Sequence, residues 1–254
     1  MSNKFRLLVK TLPVVGAVLV SRWVLFEVAD VGEIVSFSEA GAVITGVTLI
    51  IGFMLAGVLA DYKESERLPG VLASALNGFH SVAVAGLATK DLESGWAAAR
   101  ILSAVDSICA WLTKGTRDEE MWAAHADLAS VIVEAEKKGM GSHYVGRLLT
   151  VNGELTTTLL RIGVIRQTSF IQAGYVLMGL LVTLMMVLLS VVEFPSALMS
   201  WIAPAVLSLV YTYLLLLVRD LDNPFGHAEN DGAGSGADVD LGALLSVQQT
   251  LHSR

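Results

Sequence analysis

One cysteine, Cys109, stands in a chain of 254 residues. That excludes an intramolecular disulfide and any zinc site built from several cysteines, and it leaves the thiol the role of a small buried hydrophobe. Histidine is scarce too. His80, His125, His143, His227 and His252 are scattered, with no spacing such as HExxH that would set two imidazoles on one helix face around a metal. No serine or threonine near the apolar runs has a histidine and a carboxylate arranged about it as in a nucleophile elbow, and there is no glycine-rich phosphate loop. An enzyme is therefore not expected. Basic charge is also short: 17 Lys and Arg against 24 Asp and Glu give a net charge of −7, whereas binding phosphate backbones needs a basic face, so nucleic acid is not an expected partner. No Lys/Arg-rich tract flanks an apolar run to single out anionic lipid. Repeats of solenoid type are absent as well.

What the chain has is apolar surface. Hydrophobic residues make up 54% and the mean hydropathy is +0.64, too apolar for an ordinary soluble domain. The expected class is an all-α membrane protein with four transmembrane helices and a helical cytoplasmic domain, lodged in membrane lipid. Ala40 to Ala60 holds no charge, and a helix of that length spans about 30 Å, the thickness of a bilayer's hydrocarbon core. Asp61 then opens the charged run DYKESER. A first span is expected over about 5–26, since the N-terminal apolar run lacks the small-residue cleavage site of a signal peptide. Ala173–Val192 and Leu198–Val218 form a third and fourth span separated only by Glu193 to Ala197, a tight hairpin. The resulting division is 1–60 for the first two spans (the second over 40–60), 61–170 for the helical domain, 171–219 for the last two spans and 220–254 for a tail.

Within 61–170 the pattern predicts helices over Val71–Ala88, Ser94–Lys114, Glu119–Lys138 and Tyr144–Phe170. The breaks fall at Thr89-Lys90-Asp91, Gly115-Thr116-Arg117 and Gly139-Met140-Gly141-Ser142. Trp96, Trp111 and Trp122 recur there and suit the core of a helical bundle. The tail begins with an acidic, proline-locked turn, continues through a Gly/Ala/Asp-rich linker and resumes helical pattern from Leu241 to Leu251.

Lys and Arg set the orientation. With the N-terminus inside, sixteen lie on the cytoplasmic side (three within residues 1–10, eleven within 61–169, and Arg219 and Arg254), against Arg22 alone outside. Both termini are expected in the cytoplasm. Arg22 can snorkel to the interface or face a pore mouth.

Two stripes run along the second span at helical spacing. Gly52, Ala56 and Ala60 make a small-residue ridge of the kind that lets membrane helices pack closely. Thr45, Leu49 and Phe53 make a neighbouring one, with Thr48 beside it. Both can be packing surfaces, or one packs while the other lines a narrow apolar pore. In the turn after the last span, acids and carbonyls can also hold a hard cation, with Asp222, Asn223, Asn230 and Asp231 as candidate ligands.

The end of the last span, RDLDNPFGHAEND, resembles the bestrophin family, whose last span runs into an acidic D-P-F-G-x-x-x-N-D turn. Pro224, Phe225, Gly226, Asn230 and Asp231 stand in register, with Asn223 where the family usually has Asp. Gly52, Phe53, Glu64 and Gly70 in LIIGFMLAGVLADYKESERLPG match the family's second span, and Arg6 to Trp23 is similar to the first span of bacterial members. The extra residues Gly232 to Ala237 and the missing proline-and-aromatic signal before the third span depart from the pattern. The resemblance implies a homopentameric channel in a prokaryotic inner (plasma) membrane that passes monovalent ions. Its apolar neck would be Thr45, Leu49 and Phe53, carried over by position. Selectivity stays open between chloride and cations. Fivefold copies of Glu27, Asp30, Glu33, Glu39 and Glu193 against one Arg22 would make the outer mouth negative and concentrate cations, with Arg22, Glu33 and Glu39 as mouth residues. Calcium is the cofactor the turn would take, although bacterial members lack that site; no other cofactor is expected. The rival expectation is a non-conducting membrane scaffold or sensor that binds a partner through its cytoplasmic helices.

Overall fold

A computed structural model describes residues 6–29, 35–167, 172–222, 224–225 and 238–253. The chain is helical almost throughout. The elements are α1 (Arg6–Trp23, continued by a π-helical turn over Val24–Val28), β1 (Val35–Ser36), α2 (Phe37–Ala88), α3 (Gly95–Lys114), α4 (Asp118–Lys137), α5 (Ser142–Gln167), α6 (Gln172–Val191), β2 (Val192–Glu193), α7 (Met199–Leu221) and α8 (Gly242–His252). Four of the helices, α1, α2, α6 and α7, are long and apolar enough to cross a membrane. The chain divides into two compact units, one of residues 1–62 with 169–223 and the other of residues 63–168 with 224–254.

The main departure from the sequence pattern is α2. The span expected over 40–60 and the helix expected over Val71–Ala88 are one helix, which runs unbroken from Phe37 to Ala88 with Pro69 inside it. Asp61 to Leu68 is rich in Glu, Lys, Arg and Leu, all good helix formers, and these carry the helix through the charged run. Pro69 removes one amide hydrogen from the ladder. Its ring is buried beside Leu68 and Leu72, so packing holds the helix where propensity alone would end it.

In the first unit, α1 packs on α6 and α7. Val18, Ala40, Leu189, Val192 and Phe194 form one buried apolar cluster, with Val35 and Ile44 against it. β1 and β2 pair in parallel, with Val35 opposite Val192 and Ser36 opposite Glu193. Ser21 and Ser190 hydrogen-bond at 2.9 Å across α1 and α6. A cavity of about 420 Å³ lies between these two helices, lined by Val14, Ala17, Val18, Leu25, Met186 and Val187 among others.

The second unit is a bundle with the periodicity of amphipathic helices. From α2, Leu72, Leu76, Phe79, Ala83 and Leu87 are all buried, spaced three and four apart. Ile101, Val105, Ile108 and Leu112 of α3 answer them in kind, as do Leu148, Leu155, Leu159 and Ile162 of α5. Gly86 has a steric reason: a Cβ there would sit 2.9 Å from Tyr144, so α2 meets α5 at a residue without a side chain. Gly115 ends α3 at φ +65°, a left-handed cap that glycine adopts without strain. Of the three tryptophans expected in this core, Trp111 is fully buried, while Trp96 and Trp122 are half-buried. The Trp111 indole N–H donates to Asp118 Oδ1 at 2.7 Å, and the Arg166 guanidinium lies 4.6 Å over its ring. α8 docks on α3 through buried Leu244 and Leu251, with Gln248 and His252 both reaching Asp106.

α3 and α4 are tied by Arg100, which bonds Asp127, Ser130 and Glu134. Hydrogen bonds from Arg100 hold the Asp127 carboxyl below its ordinary range, against a smaller opposing effect of burial. The folded pKa is thus depressed. Its stabilisation is present above the unfolded value of about 3.9 and is lost as pH falls through the folded one. Both side chains are more than a third exposed (34% and 39%), so the pair contributes less than about 1 kcal/mol. Arg100→Met is expected to lower the thermal midpoint at pH ~7 and to lower it less as pH approaches ~3. A deficit independent of pH would assign the loss to packing instead.

Candidate pore face of the second span

The site is built on one helix. Ala40, Val47, Ile51 and Val58 are buried, and at about 100° per residue they share one side of α2. Leu49 and Phe53 lie nearly opposite, 58% and 69% exposed. Thr45 and the ridge of Gly52, Ala56 and Ala60 are exposed on the same half of the helix. Open space surrounds the position a Cβ would take at Gly52. Both stripes are therefore exposed among the described residues. A hydroxyl at Thr45 spends its proton on Gly41 O at 2.8 Å, inside its own helix, which leaves its lone pairs outward.

A polar pair ties α2 to its neighbour in the first unit. The Thr48 hydroxyl donates to Ile44 O at 2.7 Å and meets the Tyr211 hydroxyl at 2.5 Å, joining α2 to α7. Tyr211 is buried. These residues are 163 positions apart, and sequence spacing along α2 could place Thr48 only near the stripe. Thr48→Val and Tyr211→Phe are each expected to cost about 1 kcal/mol, with a coupling of similar size in a double-mutant cycle on unfolding in detergent. Additive losses would mean the two hydroxyls act separately.

At the start of α2, Glu39, expected at the outer mouth, closes a capping box. Its carboxylate accepts from Ser36 N–H at 3.1 Å and Ser36 Oγ at 2.8 Å, while its own N–H points back to Ser36 Oγ at 3.4 Å. The S-x-x-E spacing of Ser36 to Glu39 was the legible signal. It stays exposed and charged. Arg22, expected to anchor at the interface or face a pore mouth, does not open onto solvent within the chain: it is 4% exposed, bonded to Val192 O at 2.6 Å and lying over the Phe26 and Phe194 rings. Glu33 lies outside the described residues.

Of the proposed cation turn, only Asp222 is described; Asn223, Asn230 and Asp231 lie outside the described residues. Asp222 ends α7, its N–H donating to Val218 O at 3.2 Å, and its carboxylate accepts from the Tyr175 hydroxyl. No group of three metal-ligating side chains occurs among the described residues.

Four apolar spans and a helical remainder define an all-α membrane protein. A crystal structure of a membrane protein has the same fold: it is 14% identical, with a TM-score of 0.70 over 100% of this chain and 98% of that one. At that identity the likeness establishes the fold alone. No family model matches the sequence, and no curated protein matches it.

Proposed function

We propose that this protein is a bestrophin-like homopentameric ion channel of a prokaryotic inner membrane, with both termini cytoplasmic, passing monovalent ions passively along an axial pore. The observation that carries the reading is the exposure of Leu49 and Phe53 on the side of α2 opposite its buried residues, in the middle of the most apolar of the four spans. Five copies of each around one axis make an apolar ring that resists hydrated ions by dewetting, and slight rotation or widening of α2 opens it. Nucleic acid, catalysis and a resident cofactor play no part in this reading. Calcium at the tail turn would be a regulator at most.

The second reading is a non-conducting scaffold or sensor. The exposed Gly52/Ala56/Ala60 ridge favours it, because the same half of α2 suits close packing on a sister helix. Reconstitution separates the two: purified protein of fivefold mass whose liposomes leak small ions supports the channel, and a dimer without flux supports the scaffold. If the acids at the start of α2 set selectivity, the reversal potential favours cations and moves toward zero in Glu33→Gln/Glu39→Gln. Glutamine at 39 keeps an acceptor for the Ser36 cap, so the shift reports charge and not helix fraying. A clear chloride preference in the parent would overturn this part.

A further inference from the structure

Arg22 carries a full charge inside a span and is 4% exposed. Such a group is costly unless its donors are satisfied, and in a membrane it marks function by default. Its Nη1 donates to Val192 O at 2.6 Å and lies 3.4 Å from Leu189 O. The guanidinium carbon sits 4.6 Å from the Phe26 centroid and 5.4 Å from that of Phe194, and Glu193 acts on it electrostatically. Leu189 and Val192 bracket the end of α6 at Val191. The last carbonyls of a helix lack internal donors and carry the negative end of its dipole. Arg22 of α1 is therefore a C-terminal cap for α6.

The strand after α6 makes that cap consequential. Val192 and Glu193 are β2, which pairs with β1 (Val35 and Ser36), and β1 enters α2 at the next residue. The Phe37 and Phe194 rings meet at 5.4 Å, and the Ser36–Glu39 box closes the first turn. A two-residue strand pair is too short to hold itself together.

We propose that Arg22 is the positioning residue for the start of α2: by capping α6 it fixes β2, and through the β2–β1 pair it fixes the first turn of the helix that carries Leu49 and Phe53. Lysine is a poorer substitute, because a planar guanidinium can lie against two rings while one of its nitrogens donates to the carbonyls. The consequence for conduction rests on the channel reading; the structural half does not.

The test uses the full chain in liposomes with Val35→Cys and Val192→Cys, which face each other in register and so suit disulfide geometry. Cys109 does not compete, because burial and then Asp106 push its thiol up to about 12. With Arg22 present, copper-phenanthroline oxidation closes the disulfide quickly. Arg22→Gln is expected to slow closure about tenfold, the factor for a helix-terminus interaction of about 1.4 kcal/mol. Arg22→Lys, which keeps the charge without the planar guanidinium, falls between. Closure of the Gln variant at the parental rate overturns the proposal. Should that variant not fold, closure of the Lys variant at the parental rate does so. Flux is read on the parent liposomes: its absence defeats the channel reading alone, while the cross-linking rates still decide the role of Arg22.

Discussion

Leu49→Ala combined with Phe53→Ala is expected to raise passive ion flux through reconstituted protein by about tenfold or more, the effect of lowering a permeation barrier by about 1.4 kcal/mol. In the proposed pentamer the change removes ten large side chains from a fivefold ring and would leave a wider constriction that stays wetted. It should do so without unfolding the protein, since Leu49 and Phe53 are 58% and 69% exposed in the chain and contribute little to its core. Thermal midpoints of variant and parent in detergent should therefore lie close together. Flux that is unchanged in a conducting protein removes these residues from the pore. Flux that falls together with the midpoint would say instead that the face is a packing surface, as the scaffold reading requires.

The second large effect concerns stability. Trp111→Ala is expected to cost about 3–5 kcal/mol, because the indole is fully buried and its removal leaves a cavity. Two further losses go with it. Asp118 loses the indole donor and keeps only the Gln167 amide at 2.8 Å, and Arg166 loses the ring beneath its guanidinium. Arg166 Nη1 is buried without a hydrogen-bond partner among the described residues, so the ring face is its main compensation. A fall of the thermal midpoint on the order of 10 °C, followed by the helical circular dichroism signal, is the expected reading. Trp111→Phe should lose less, about 1–2 kcal/mol, since it keeps most of the packing and forfeits the hydrogen bond. Equal losses in the two variants would show that Asp118, not the cavity, governs the site.

How much of this was legible in the sequence depends on the range of the forces involved. Apolar runs of about twenty residues announce spans by length, so α1, α6 and α7 begin and end within a few residues of where the runs do. Gly115 and Gly139 announce helix ends because their positive φ values are strained for other residues. The Leu49/Phe53 stripe is a matter of counting by four. α2 outruns this local logic: the span over 40–60 and the helix from Val71 are one element, and burial of Leu68, Pro69 and Leu72 carries the helix between them. Arg22 defeats it too. Its position along α1 was plain, but the carbonyls that receive it lie 167 and 170 residues away, and no spacing within α1 points to them. Thr48 and Tyr211 are missed for the same reason. Glu39 is a different case. The capping box was there to be read, and counting it only as negative charge hid its structural role.

An image of single particles in detergent tests the central idea most directly. Five chains in a ring are expected, with the second span innermost and the side chains of Leu49 and Phe53 turned toward an open axis. A one- or two-chain particle in which those side chains lie against detergent or a sister helix, with no central opening, would contradict it.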